Sequence, residues 1–322
     1  MPRKRHSRVR DLAEYAFMRA IEAASWPIPV RVGLWLGRVL GTLTWLTARR
    51  VRAVAESNAM GALGLSRKEA SRLVHRVCKN FGANFVEDLM LPRILRRKSL
   101  RDFSHVEGEE HLHAALAKGR GAIMVTGHFG NWELAGLALA HVMGEAMAVA
   151  RPLANPYVEA HALAWRKKAG LTIVTRRGAL RHVIRHLQAG GCAAMLIDQN
   201  QRSGGVFVDF FGRPAATVPS PAMLALKYDV PVLMGYSWRQ GRGSFHCFRC
   251  DPPFELIRTG DYQADVAANT ALFTRRIEEI IRERPDQWFW LHSRWRKRPP
   301  GEAHATTEDD AAAEAEEGGI FQ

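Results

Sequence analysis

The sequence predicts an α/β fold in which a mixed, largely parallel central sheet carries helices on both faces, preceded by N-terminal helices that associate with a membrane. Three observations predict it. From Val106 onward, short apolar runs alternate with single helical patterns, the order that parallel strands and crossover helices produce. Three of those runs lead into His128, Arg151 and Asp198, and in such sheets the loops at the carboxyl ends of strands carry the ligand-facing residues. Ahead of them, Val32 to Leu46 is apolar but interrupted by Arg38.

The first ten residues hold Arg3, Lys4, Arg5, Arg8 and Arg10 and open a helical pattern through Leu12, Tyr15, Met18 and Ile21. No apolar core with a small-residue cleavage site follows, so this is not a signal peptide pattern. Val32 to Leu46 falls short of a membrane span, and Arg31 and Arg38 share one helical face. Trp and Leu on one side with arginines on the other suit a helix lying in a membrane interface; a helix packed on a soluble core is the alternative. Residues 1–50 thus read as a basic, membrane-associating segment and 51–300 as an α/β domain with a helical lead-in. Residues 301–322 read as an acidic tail too polar to pack, and so disordered.

Ser66 to Arg97 reads as one or two helices, with Asn84, Glu87 and Asp88 set among Phe81, Phe85, Leu89 and Met90. Arg93, Arg96, Arg97, Lys98 and Arg101 form a second basic cluster. Strands are expected at 122–126, 146–150, 171–174, 193–197 and 231–237, and helices at 156–169, 179–187, 218–227 and 266–282. Arg202 to Thr217 reads as a hairpin that presents aromatic residues and Arg213 beside the strand ends. Trp288, Trp290 and Trp295, interleaved with polar and basic residues, suit either a core or an interface rim.

The formal net charge is +14, and seven of the 32 acids fall in residues 301–322, which contain no Lys or Arg. The remainder sets 46 basic against 25 acidic residues and calls for an anionic partner: acidic lipid headgroups, an acidic carrier protein or nucleic acid. No recognised nucleic-acid motif accompanies the charge. The four cysteines, Cys78, Cys192, Cys247 and Cys250, do not form a disulfide framework for a chain of 322 residues and read as reduced and buried.

The most informative stretch is Ala122 to Leu134. A β-branched apolar run ends in a loop bounded by Gly127 and Gly130 and carrying His128, and Asn131 is a good cap for a helix running toward Gly144. Glu133 follows His128 by five residues, about 140° around a helix, so the two meet only if the loop folds back over the first turn. An ionised carboxylate beside the imidazole would fix its tautomer and raise its basicity, as a general base requires. A loop histidine with a capping glutamate is the plain alternative. Helical zinc-ligand spacing is absent, and no metal is expected.

These residues resemble the bacterial lipid A biosynthesis acyltransferases of the lysophospholipid acyltransferase superfamily, and the resemblance covers roughly residues 10–298. It rests on Gly127-His128-Phe129-Gly130-Asn131-Trp132-Glu133, on Arg151-Pro152-Leu153 with Asn155-Pro156, on Asp198-Gln199 with Gly205 to Thr217, and on Gln287 to Arg294. The resemblance implies a glycerolipid acyltransferase-like fold and transfer of a fatty acyl chain from acyl carrier protein to a hydroxyl of a lipid A precursor, at the cytosolic face of the bacterial inner membrane. It implies His128 as general base oriented by Glu133, Arg166 as a functional arginine and Asp198 as a functional acid. Arg151, Arg213, Asn131 and Gln199 are the expected substrate-binding residues, the arginines toward phosphates. Loop N–H groups with a nearby arginine would serve the oxyanion. No cofactor is implied, because the acyl thioester is a co-substrate that brings its own activation. The same scaffold also acylates phosphatidylinositol mannosides and other lipids, in some members from acyl-coenzyme A. Asp209 and the acidic tail depart from the family pattern and leave the acceptor open. Outside enzymes, a basic membrane-surface binding protein would explain the charge but not the convergence of His128, Arg151 and Asp198.

Overall fold

The fold is described from a computed structural model over residues 7–97, 99–102, 104–175 and 178–301. The basic start at Arg3, Lys4 and Arg5, Lys98 of the second basic cluster, and the acidic tail from Glu302 lie outside the described residues.

Helices come first: α1 (Arg8–Ala24), α2 (Val30–Thr47), α3 (Arg49–Leu63) and α4 (Arg67–Arg97). Ser7 starts α1 by accepting a hydrogen bond from the Arg10 N–H. The sequence reading has no counterpart of α3, whose buried face is Ala55, Asn58, Ala59 and Ala62; side chains this small leave no apolar periodicity. One helix, α4, fills the stretch that allowed one or two, with Pro92 inside it. Next to that proline, Arg93 Nη1 donates to the Ser25 and Ile28 carbonyls at 2.8 and 2.9 Å, tying α4 to the turn between α1 and α2.

Helix α2 meets α4 through glycines. Gly33, Gly37 and Gly41 recur at every fourth position and so share a face. A methyl group at Gly37 would lie 2.4 Å from the Gly82 carbonyl oxygen, and one at Gly41 would lie 2.1 Å from that of Cys78, so the two backbones touch directly. Leu34 is buried beside these glycines, but most bulky side chains of α2 face outward: Trp35, Leu36, Val39, Leu40, Leu43 and Leu46 are all exposed. Arg38 is half-buried and donates to the Arg242 carbonyl at 2.8 Å, away from that apolar face. Among the described residues, no helix is long and apolar enough to cross a membrane.

The α/β part alternates as expected: β1 (Ser104–Glu107), α5 (Glu109–Leu116), β2 (Ala122–Thr126), α6 (Trp132–Met143), β3 (Ala146–Ala150), α7 (Pro156–Lys168), β4 (Leu171–Thr175), α8 (Ala179–Gln188) and β5 (Cys192–Leu196). The hairpin β6 (Val206–Phe210) and β7 (Arg213–Thr217) follows, then α9 (Ser220–Tyr228), β8 (Val232–Arg239), β9 (His246–Cys250) and α10 (Tyr262–Glu283). Among the described residues seven strands form one sheet in the order β1-β9-β8-β2-β5-β3-β4. Its strand pairs are parallel except β8 with β9. Alternate residues of β2 enter different cores: Ile123 and Val125 pack with Val183 and Phe273, whereas Ala122 and Met124 pack with Leu134 and Leu137. Helices thus cover both faces, which is why β2 is apolar throughout instead of alternating. The four cysteines are free and buried.

The glycine contact yields a first prediction. Gly37→Val should destabilise the protein by roughly 1–3 kcal/mol or more, because backbone rather than a flexible side chain must give way. A thermal melt that leaves the Gly37→Val midpoint unchanged would contradict the direct α2–α4 contact.

Candidate active site

Strand β2 delivers the loop that carries His128, and its neighbour β5 delivers Asp198; Thr126 and Leu196, the last residues of the two strands, are register partners. Gly127 is needed for the fit, since a methyl group there would sit 3.0 Å from Asp198 Oδ2 and 2.8 Å from the Phe129 ring. The loop closes on Asp198 twice: the His128 backbone N–H donates to Oδ2 at 2.7 Å, and the imidazole Nδ1 lies 2.7 Å from Oδ1. Nδ1 faces a carboxylate and so carries the proton, which leaves Nε2 with its lone pair toward the cavity. Burial alone would push the Asp198 carboxyl up. The charge of a protonated His128, its two hydrogen bonds and the Trp288 indole outweigh that and hold the carboxyl down to about 2.

This corrects the expected pairing. Glu133 does not orient His128; it receives Arg166 in a two-pronged pair, with Arg166 Nε 2.9 Å from Oε2 and Nη2 2.7 Å from Oε1. The reason is the angle already visible in the letters. Glu133 lies in the first turn of α6 and points toward α7, while the imidazole turns toward the neighbouring strand end. The pairing also sets Arg166 apart from Lys167 and Lys168, which follow it at the end of α7: its side chain is 16% exposed. Three of the loop N–H groups are engaged within the fold, His128 with Asp198, Phe129 with the Gly127 carbonyl and Gly130 with the Gln287 carbonyl.

The tryptophan-rich segment after α10 is core, not rim. It straps the loop from behind: the Phe289 N–H donates to the His128 carbonyl at 3.1 Å, and the Trp288 Nε1–H donates to Asp198 Oδ2 at 2.8 Å. Trp288 and Trp290 are completely buried, and Asn58 of α3 holds the strap by donating to the Trp290 and His292 carbonyls at 2.9 Å. Trp132 stands edge-on to the imidazole with ring centres 5.1 Å apart. His292, pushed down to about 4 mainly by burial, stays neutral and accepts the Asn200 N–H on Nε2 at 3.0 Å.

His128 opens into a cavity of about 880 Å³ with two unlike ends. One limb, between α6 and the sheet, is lined by Met124, Ala135, Ala138, Leu139, Ala194 and Phe248. The mouth is lined by Arg50, Arg151, Arg166, Arg202, Arg213 and Arg296. The expected substrate residues Arg151, Arg213 and Gln199 therefore meet at the cavity, and Arg213 also stacks over the Trp295 ring at 4.6 Å. Asn131 is not among the lining residues. It is 1% exposed, caps α6 by accepting the Leu134 N–H at 3.0 Å, and donates to Glu87 and Asp88 at 3.0 and 2.8 Å.

Glu87 anchors a polar cluster beneath the site that sequence reasoning noticed without assigning a role. It receives Arg239 Nη2 at 2.6 Å and lies 2.9 Å from His246 Nε2, all three buried, while Asn84 takes Arg239 and donates to the Gly130 carbonyl. The local signal was Asn84 and Glu87 set among Phe81, Phe85, Leu89 and Met90. The chemistry of the whole is that of a proton acceptor set between an apolar slot and a cationic mouth.

A family model for bacterial lipid A biosynthesis acyltransferases matches residues 3–297. The chain is 29% identical over 222 residues to a phosphatidylinositol mannoside acyltransferase of Mycobacterium tuberculosis, covering 67% of this chain and 68% of that protein. It is 26% identical over 282 residues to the lipid A biosynthesis palmitoleoyltransferase of Escherichia coli, covering 86% and 89%. Over 284 residues it is 26% identical to the lipid A biosynthesis lauroyltransferase of the same organism, covering 86% and 88%.

The buried cluster carries a stability prediction. The Glu87 carboxyl is pushed up by burial but held down, to about 2, by His246 and Arg239. A carboxyl depressed in the folded state contributes fully above its unfolded value, about 4.3, and loses that contribution as pH falls through the folded one. Glu87→Gln leaves Arg239 without its anion, so a loss of about 3–5 kcal/mol at neutral pH is expected. Thermal melts between pH 7 and pH 2 should show a lowered midpoint for the variant and a shallower acid decline than in the wild type.

Proposed function

The chain belongs to the bacterial lipid A biosynthesis acyltransferase family, and from that premise we propose how this O-acyltransferase works and on what. The observation that carries the reading is the position of the His128–Asp198 pair, at the junction of an apolar limb and an arginine-lined mouth of one cavity. The fatty acyl chain of a thioester donor occupies the limb between α6 and the sheet. The acceptor lipid presents a hydroxyl to His128 while its phosphates lie against Arg151 and Arg213.

His128 Nε2 takes the hydroxyl proton as the oxygen attacks the thioester carbonyl, and Asp198 stabilises the imidazolium that forms. The C–S bond then breaks, and the imidazolium returns the proton to the departing thiolate. Neither a metal nor a bound cofactor is required. With the His128, Phe129 and Gly130 N–H groups engaged elsewhere, Arg166 is the oxyanion donor: Glu133 holds Nε and Nη2, and Nη1 is the nitrogen outside that pair. A lipid A precursor is the acceptor favoured by family membership, with acyl carrier protein as donor. The similarity to phosphatidylinositol mannoside acyltransferases supports a second reading, in which a phosphoinositide glycolipid accepts and acyl-coenzyme A donates. Both readings put the enzyme on the cytosolic face of the inner membrane. The outward apolar face of α2, with residues 1–50 around it, forms the peripheral contact, and residues 51–300 carry the chemistry.

Acyl transfer from carrier-protein and coenzyme A thioesters to a panel of phosphorylated lipids tests this reading. His128→Ala should lose about 10²–10⁴-fold in kcat, and Asp198→Asn should fall comparably while shifting the acid limb of the pH–rate profile. Glu133→Gln should lower kcat without moving that limb; a shifted limb in Glu133→Gln alone would return the orienting role to Glu133. For the membrane contact, Trp35→Glu with Leu43→Glu should weaken co-sedimentation with anionic vesicles by roughly tenfold or more. Unchanged co-sedimentation would move the contact elsewhere.

A further inference from the structure

The base is not idle in this structure. Gln199 Nε2 lies 3.2 Å from His128 Nε2. Because the Nδ1–H donates to Asp198, the ring's remaining acceptor is Nε2, and of the two ends of the carboxamide it is the N–H that faces it. The carboxamide thus occupies the position that the reacting hydroxyl needs. We propose that Gln199 is a positioning residue that caps the base until the acceptor hydroxyl displaces it, and so suppresses loss of the acyl group to water. The proposal rests on the acyl-transfer reading above.

The geometry confines this exchange to one side chain. On one side of Gln199, Asp198 is fixed by His128 and Trp288; on the other, the Asn200 N–H donates to His292. Trp132 and Phe289 wall the imidazole at 5.1 and 6.3 Å between ring centres. Gln199 itself is half-buried, lines the cavity and has rotatable bonds to spare. The side reaction it restrains follows the same proton path as transfer. A water O–H gives its proton to Nε2 while the oxygen bonds to the thioester carbonyl carbon, the C–S bond breaks, and the imidazolium protonates the thiolate to leave a free fatty acid and a thiol. A lipid held by its phosphates brings binding energy from many contacts to displace the amide; a lone water brings none beyond its own hydrogen bonds.

The test compares wild type, Gln199→Ala, Gln199→Ser and His128→Ala, matched for folding by thermal melts. The first readout is hydrolysis of acyl-coenzyme A without acceptor. Both Gln199 variants should hydrolyse faster by roughly 3- to 10-fold, about what one neutral hydrogen bond is worth, and His128→Ala should fall to background. The second readout does not depend on activity: the rate at which diethyl pyrocarbonate modifies His128, followed by peptide mass spectrometry, should rise by a similar factor in both Gln199 variants. Unchanged or slower modification in both overturns the capping role, whatever their hydrolysis. A wild type that transfers to no lipid, with modification still accelerated in the variants, rejects the acyl-transfer reading and leaves the cap standing.

Discussion

A buried carboxylate must be answered on both oxygens, and the answer given to Asp198 organises this protein. Its Oδ1 faces the imidazole of His128, and its Oδ2 takes the backbone N–H of the same residue and the indole N–H of Trp288. Those contacts join the end of β5, the loop after β2 and the strap after α10. An unanswered anion at 4% exposure would be strongly destabilising, so the sheet order that places β5 beside β2 is a condition of the site as well as of the core.

The surroundings of that carboxylate separate two solvents. Small residues on the inner face of α6, Ala135, Gly136 and Ala138, leave an apolar slot against the sheet, and arginines from distant parts of the chain gather at its mouth. The same logic acts on α2, where glycines let the backbone approach α4 and leave bulky apolar side chains outward. In each place small side chains create an apolar surface by what they do not fill.

Most of the fold could be read from local pattern. Strands at 122–126 and 146–150 are apolar because both sheet faces are covered, and the start of α6 is announced by its Asn131 cap. The meeting of His128, Arg151 and Asp198 was legible because each follows one of the parallel strands of a single sheet. Their pairing was not. Glu133 is five residues from His128 and Asp198 is 70 away, so only the adjacency of β2 and β5, which no local pattern encodes, selects the distant acid. Trp288 was hidden for the same reason, at a separation of 90 from the acid it donates to. Helix α3 escaped notice because its buried face is made of side chains too small to mark a period.

The strap has a consequence in time. During synthesis the chain emerges from its N-terminus, so β2 and its histidine appear long before Trp288, which follows every strand of the sheet. Until Trp288 arrives, Asp198 lacks its indole donor and the loop lacks the Phe289 bond to the His128 carbonyl. The surroundings of the proton acceptor are therefore completed last, after the strands that line the slot beside it.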